Sequence, residues 1–363
     1  MAQPPPRSIL LLTRGLDPVG TGSQVALTAE ALATAGWRPT VALSSAGGSL
    51  PRHLAHAGVE VVRLGTRPDP DWGAVVALAR HLRRSSPRVV LAWGRGQARI
   101  AVTALLPTPG PRLVAALALP PRGGADRLAL QRSDRVIASA TAVADACVAA
   151  GVPAERIDTV VPGSPVPAPR SLDRTALAAR LGLDPARIWT LCVAPLVPAT
   201  RLARLVWAID QLGVVHHGLD HLLVGSGPLA ARLARRSRAQ RIADRLTVVP
   251  SVDAITDLLA EVRLVWQSGA VAHGGALVDA LAHGVPLVAV ESIAARQMIA
   301  DDVNGRIVPA DPESEFPRRA FQILEDSVRA ARYAASGRER AAGLFDPGTA
   351  AAGYVAAVER AVG

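Results

Sequence analysis

Lysine is missing from all 363 residues, so the 40 basic side chains are arginines. Wholesale replacement of one cation by the other points to GC-rich coding, and it weakens any functional reading of the net charge of +10. Aromatic residues make up only 3% of the chain. The interior must then be built from Ala, Val and Leu. Arginines without interleaved aromatics, and without a recognition motif, argue against nucleic acid as a partner. Cysteine occurs twice, at Cys147 and Cys192, which allows no disulfide framework and gives no metal-ligand spacing. Both read as small buried apolar residues. No apolar run reaches membrane-spanning length. The run of five uncharged residues, 9–13, ahead of Arg14 is too short for a secretory core. The expectation is a cytoplasmic protein, with peripheral contact with the inner membrane face left open.

Half of the residues are apolar, and the length exceeds what one core usually holds, so two domains are expected. Charge is unevenly spread. Residues 1–168 carry 18 Arg against 10 acidic residues, whereas 169–363 carry 22 against 20. This is either compositional drift or attraction of the first half to an anionic partner.

Short apolar runs alternate with helical patterns. Runs at 9–12, 40–43, 59–64, 89–93, 113–117, 136–139 and 157–161 read as one set of strands. Runs at 189–193, 221–224, 246–249, 262–266, 286–290 and 306–308 read as a second. Fully apolar strands between helices indicate parallel sheets covered on both faces. Four prolines within PGSPVPAPRSL, 162–172, mark a linker between the sets. Helical segments are expected over 314–336 and 349–362.

The most informative stretch is GGALVDALAHGVPLVAV, 274–290. A glycine pair at a helix start lets backbone N–H groups approach an anion, and the helix dipole adds attraction. Asp279, further in, is placed to accept hydrogen bonds from sugar hydroxyls. A diphosphate beside a ribose, as in a sugar nucleotide, satisfies both features. Gly20-Thr21-Gly22 either cradles a phosphate or only makes a strand–helix turn. Gly225-Ser226-Gly227-Pro228 reads first as a turn and helix start, with close approach to a nucleotide as its second role. His216, His217 and His221 lack a carboxylate or Cys partner at metal-site spacing and read as a surface helix end and strand start.

SILLLTRGLDPVGTGSQVALTAEALATAGWRPTVAL (8–43), SDRVIASATAVADACVAAGVPAERIDTVVPG (133–163), LLVGSGPLAARL (222–233), the 274–290 block and MIADDVNGRIVP (298–309) together resemble glycosyltransferase family 4. That resemblance implies an α/β chain of the GT-B type, with two Rossmann-like doubly wound parallel-sheet domains. It implies an acceptor domain over 1–168, a donor domain over 169–345, and a last helix over 346–363 returning to the first domain. It also implies retaining transfer from a nucleotide-diphosphate sugar, with no cofactor and no metal, to a glycan, lipid-linked or small-molecule acceptor. The donor residues it implies are Gly20, Gly22, Arg201, Gly227, His273, Gly274, Gly275, Ala276 and Asp279. The family's Gly-Arg and Lys fall here on Ala194-Pro195 and Thr200, and the first Glu of its Glu-x7-Glu pair falls on Val271. Arg201 is then the expected positive charge, and Asp279 the surviving carboxylate. The alternative is a non-catalytic nucleotide-sugar-binding or scaffold protein of the same shape.

Overall fold

Strands rich in Val, Leu and Ala with no polar alternation can be stable only if both faces are covered. The computed structural model, which describes residues 7–17, 19–45, 54, 58–65, 72–106, 110–164, 171–252 and 255–363, shows two such sheets. The chain divides into two compact units, one of residues 1–163 with 347–363, the other of residues 164–346. Residues 165–170, the middle of the expected linker, lie outside the described residues.

The first unit holds strands β1 (Arg7–Thr13), β2 (Trp37–Leu43), β3 (Glu60–Arg63), β4 (Val89–Trp93), β5 (Arg112–Leu117), β6 (Arg135–Ala138) and β7 (Ile157–Thr159). They pair in parallel in the order β3-β2-β1-β4-β5-β6-β7. Around them lie α1 (Thr21–Thr34), α2 (Trp72–Ser85), α3 (Arg95–Leu105), α4 (Gly123–Gln131) and α5 (Thr141–Ala149). Ile9, Leu11, Val41, Leu91, Val114 and Ile137 form the core on one face of the sheet. The last helix, α14 (Pro347–Val362), belongs to this unit, where its buried Tyr354 packs on Trp93 with ring centroids 4.9 Å apart.

The second unit holds β8 (Ile188–Val193), β9 (Leu219–Val224), β10 (Leu246–Val249), β11 (Leu264–Gln267), β12 (Leu287–Val290) and β13 (Gly305–Val308), ordered β10-β9-β8-β11-β12-β13 and all parallel. Its helices are α6 (Arg174–Leu181), α7 (Leu202–Val215), α8 (Ala230–Ala239), α9 (Ile255–Glu261), α10 (Leu277–His283), α11 (Ile293–Met298), α12 (Glu315–Glu325) and α13 (Ser327–Leu344). The helical stretch expected over 314–336 is two helices that break at Asp326. That side chain caps α13 by accepting from the Arg329 N–H at 2.9 Å. No helix among the described residues is long and apolar enough to cross a membrane.

Candidate functional site

In the second unit the sheet grows in both directions from β8. β9 and β10 add on one side, and β11 to β13 on the other. Loops that leave neighbouring strands in opposite directions open a crevice at the carboxyl ends, and ligands of doubly wound sheets bind there. Three loops meet at this edge: 194–201 after β8, 225–229 after β9, and 268–276 after β11.

Glycines let these loops touch backbone to backbone. A Cβ on Gly225 would lie 1.9 Å from Ala194 O, one on Gly227 2.6 Å from Leu196 O, and one on Gly269 2.7 Å from Ala199 O. Backbone oxygens cannot swing aside as a side-chain end can. Hydrogen bonds finish the junction. Leu196 N–H donates to Ser226 O at 2.9 Å, Leu229 N–H donates to Leu196 O at 3.0 Å, and the Ser268 hydroxyl donates to Thr200 O at 2.8 Å. Gly227 is therefore in the first place a packing residue on an exposed turn. Thr200, on the family's lysine position, is buried. Its hydroxyl lies 2.8 Å from Pro195 O and 2.7 Å from Val197 O, where it shapes the loop from inside. Arg201 follows, exposed, in the left-handed region at φ 48°.

After β11 the chain runs through a 3-10 turn, Ala272–Gly274, into α10. His273, Gly274 and Gly275 all have positive φ, at 50°, 75° and 56°. An α-helix cannot propagate through such residues. The expectation that α10 opens on its glycine pair is corrected accordingly: it begins at Leu277, and Ala276 is its N-cap. The Gly275 N–H donates to Ala272 O at 3.1 Å inside the turn. Gly274 is covered by the buried Met298 of α11, whose sulfur would lie 2.2 Å from an added Cβ. Burial lowers the His273 imidazole to about 4, so it is neutral near pH 7. Asp279, third in α10 and 5% exposed, is raised to about 7 by burial, with a hydrogen bond from its own backbone N–H pulling the other way. His283, one turn on, has Nδ1 2.8 Å from the Asp279 carbonyl oxygen.

The fold thus brings Arg201, Gly227, His273, Gly274, Gly275, Ala276 and Asp279 onto the loops and first helical turn at one edge of one sheet. Gly20 and Gly22 lie in the other unit, after β1. Gly20 precedes α1 at φ 64°. A Cβ on Gly22 would lie 2.0 Å from Asp17 O, so glycine there lets the preceding loop fold back over the start of α1.

The reading of His216, His217 and His221 as surface residues is corrected at His221. It is 1% exposed, its Nδ1 is 2.7 Å from the Thr190 hydroxyl, and its ring packs against Trp266. Membership of a central strand overrides the neighbouring polar residues. Among the described residues, no group of three His, Cys, Asp or Glu side chains is placed to hold a metal ion.

Sequence reasoning passed over Ser268, Gly269 and Gln267. Gln267, the last residue of β11, is 2% exposed, and among the described residues its amide nitrogen has no hydrogen-bond partner. The available signal was a polar triplet, Gln-Ser-Gly, ending an apolar strand where loops converge.

Comparison with known proteins follows the same division. Residues 19–163 match the glycosyl transferase 4-like domain, and residues 188–326 match the glycosyl transferases group 1 model. A stretch of 147 residues is 31% identical to the phosphatidyl-myo-inositol mannosyltransferase of Mycolicibacterium smegmatis, covering 39% of this chain and 37% of that protein. Among solved structures, HepE of Anabaena in complex with UDP-glucose superposes with a TM-score of 0.80 at 19% identity, over 97% of this chain and 99% of that one. Sucrose-phosphate synthase from Thermosynechococcus elongatus superposes with a TM-score of 0.73 at 16% identity, over 95% and 96%. With two parallel-sheet domains of GT-B architecture, each matched by its own model and in the right order, the chain belongs to the group 1, family 4-like glycosyltransferases.

Proposed function

We propose that this glycosyltransferase moves a sugar from a nucleotide-diphosphate donor to an acceptor, with retention at the anomeric carbon and without a metal ion. The observation that supports this reading is the convergence of the loops after β8, β9 and β11 on the switch point of the second sheet. The donor would lie in that crevice. Arg201, exposed at the end of the β8 loop, would face the leaving diphosphate, where charge builds as the glycosidic bond breaks. Asp279 would accept hydrogen bonds from the ribose hydroxyls. His273, neutral, would present a ring nitrogen to the donor. The first unit would take the acceptor, a glycan, a lipid-linked sugar or a small molecule.

A second reading is a nucleotide-sugar-binding protein without turnover. What favours it is specific. Pro195 has no N–H to donate, the Thr200 hydroxyl is engaged within its own loop, and Val271 is a buried apolar residue. Calorimetric titration with UDP and GDP, paired with a donor-hydrolysis assay, decides. Binding with hydrolysis supports transfer. Binding without hydrolysis supports the second reading, and no binding removes the donor site from both.

A further inference from the structure

The first unit carries a concentration of charge that the donor site does not use. Beyond the carboxyl ends of β4 and β5, Arg95 opens α3, Arg99 lies one turn further, and Arg122 precedes α4. Asp126, 4% exposed, is approached by the guanidinium groups of Arg95 and Arg99 and by the backbone of Arg122. The Arg122 backbone N–H donates to Asp126 Oδ2 at 2.7 Å. Arg95 Nε is 4.0 Å from the same oxygen, and Arg99 Nε is 3.6 Å from Oδ1. Arg95 also donates to Pro120 O at 3.0 Å, which fixes its fork. Two guanidinium groups share this one carboxylate and the charge of Arg122 acts on Arg95, so three cations stand against one anion and the cluster keeps two positive charges in excess.

A staple between two helices needs one cation per carboxylate, and a second or third adds repulsion. At Arg95 the hold on its proton is weakened first by partial burial, and the charges of Arg122 and Arg99 add to this while Asp126 opposes it. Space is left beside the cluster. At Gly96, Gly123 and Gly124 no atom lies within 4 Å of where a Cβ would stand. Guanidinium groups drawn towards a buried carboxylate without being hydrogen-bonded to it keep donors free, and beside open backbone they suit an oxyanion. A surplus of two charges matches a phosphomonoester dianion better than a carboxylate.

We propose that Arg95, Arg99 and Arg122 form a binding site for the phosphate of a phosphorylated acceptor, either a soluble phosphoester or a lipid phosphate headgroup. Only the word acceptor rests on the glycosyl-transfer reading; the phosphate site stands on its own geometry. In the test, the full-length protein in excess UDP is titrated calorimetrically with glycerol 3-phosphate, and is floated in parallel with phosphatidylcholine vesicles with and without phosphatidic acid. Saturable binding is expected in at least one arm. Arg122→Gln and Arg95→Gln should each weaken it by about tenfold or more, the worth of a charge-assisted hydrogen bond. Arg238→Gln, on the exposed face of α8, should leave it unchanged, and Arg95→Lys should restore part of it. Binding of glycerol 3-phosphate assigns a soluble phosphoester, and retention on phosphatidic acid vesicles alone assigns a headgroup. Absence of saturable binding in both arms overturns the site, as does binding that Arg122→Gln and Arg95→Gln leave intact. Arg122 is exposed, so its variant stays informative if Arg95→Gln does not fold. A separate UDP titration without phosphoester reports on the donor reading, so the two can fail independently.

Discussion

The Ser268 hydroxyl donates to the Thr200 carbonyl at 2.8 Å, in a buried junction where the loop after β11 is tied to the loop after β8. Gly269, next in sequence, has no room for a Cβ against Ala199 O and the Thr200 carbonyl. The two loops that border the proposed donor crevice are therefore one packed object, and the position of Arg201 depends on it.

Breaking that tie should show in stability and in ligand affinity together. Ser268→Ala leaves a buried carbonyl without its donor and should cost about 1–3 kcal/mol. Gly269→Ala forces backbone against backbone and should cost roughly 1–3 kcal/mol or more. Thermal unfolding and UDP titration of both variants check this. Melting temperatures and affinities equal to wild type would show that the junction does not hold the loops.

Asp279 should make both stability and donor binding depend on pH. Its folded pKa, about 7, lies above the ordinary value of 3.8. Between those values the folded state holds a proton that the unfolded state has lost. Its stabilising contribution is therefore complete below about pH 4 and is lost as pH rises to 7, a change on the order of a few kcal/mol. Asp279→Asn cannot titrate and should gain stability relative to wild type as pH rises over that interval. The ionised carboxylate is the better acceptor for a ribose diol, so wild-type UDP affinity should rise through pH 7 more steeply than that of Asp279→Asn, in which the ligand's own phosphate still titrates. Parallel pH profiles for the two proteins would remove Asp279 from both roles.

At Arg201, affinity and stability should move in opposite directions. A non-glycine residue at φ 48° is strained, so Arg201→Gly should raise stability by up to about 1 kcal/mol. Loss of the exposed cation should weaken UDP binding by about tenfold at low salt, and by less at high salt. Calorimetry at two ionic strengths, beside thermal unfolding, measures both. Unaltered affinity would mean that the diphosphate is held elsewhere.

The two thiols should be inert in the folded protein. Cys147 and Cys192 are fully buried, and burial pushes them up to about 11 and about 12, which suppresses the thiolate. A thiol-disulfide reagent should label neither until denaturant is added, when both should react. Rapid labelling of the native protein would contradict the buried placement.

Much of the fold was legible because the signal is local. Each apolar run read as a strand corresponds to a strand, since three to six mostly apolar residues between helical patterns have few other stable arrangements. Boundaries drifted where a side chain decides them. Asp326 ends one helix and starts another by a single cap, within a stretch whose periodicity runs on. His221 was misjudged because its sequence neighbours are polar, whereas its spatial neighbours are Thr190 and Trp266.

The candidate site was legible only in part. Glycines at 225, 227, 274 and 275 are plain in the sequence, but which backbone each must admit is a long-range fact. Gly227 faces Leu196, and Gly274 faces Met298. Ser268 and Thr200 are ordinary residues 68 positions apart, and nothing in either neighbourhood announces the hydrogen bond between them.

Periodicity and composition, which act through neighbours in the chain, were enough to set the number of sheets, their parallel sense and the family's order of motifs. The tertiary structure alone decided that Thr200 supports a loop, that the N–H of Gly275 is held within a turn, that Asp279 sits where a proton stays bound to about pH 7, and that two arginine side chains and the backbone N–H of a third meet at one buried carboxylate. Hydrogen bonding, desolvation and charge balance depend on which groups meet across space, and a linear sequence does not encode that locally.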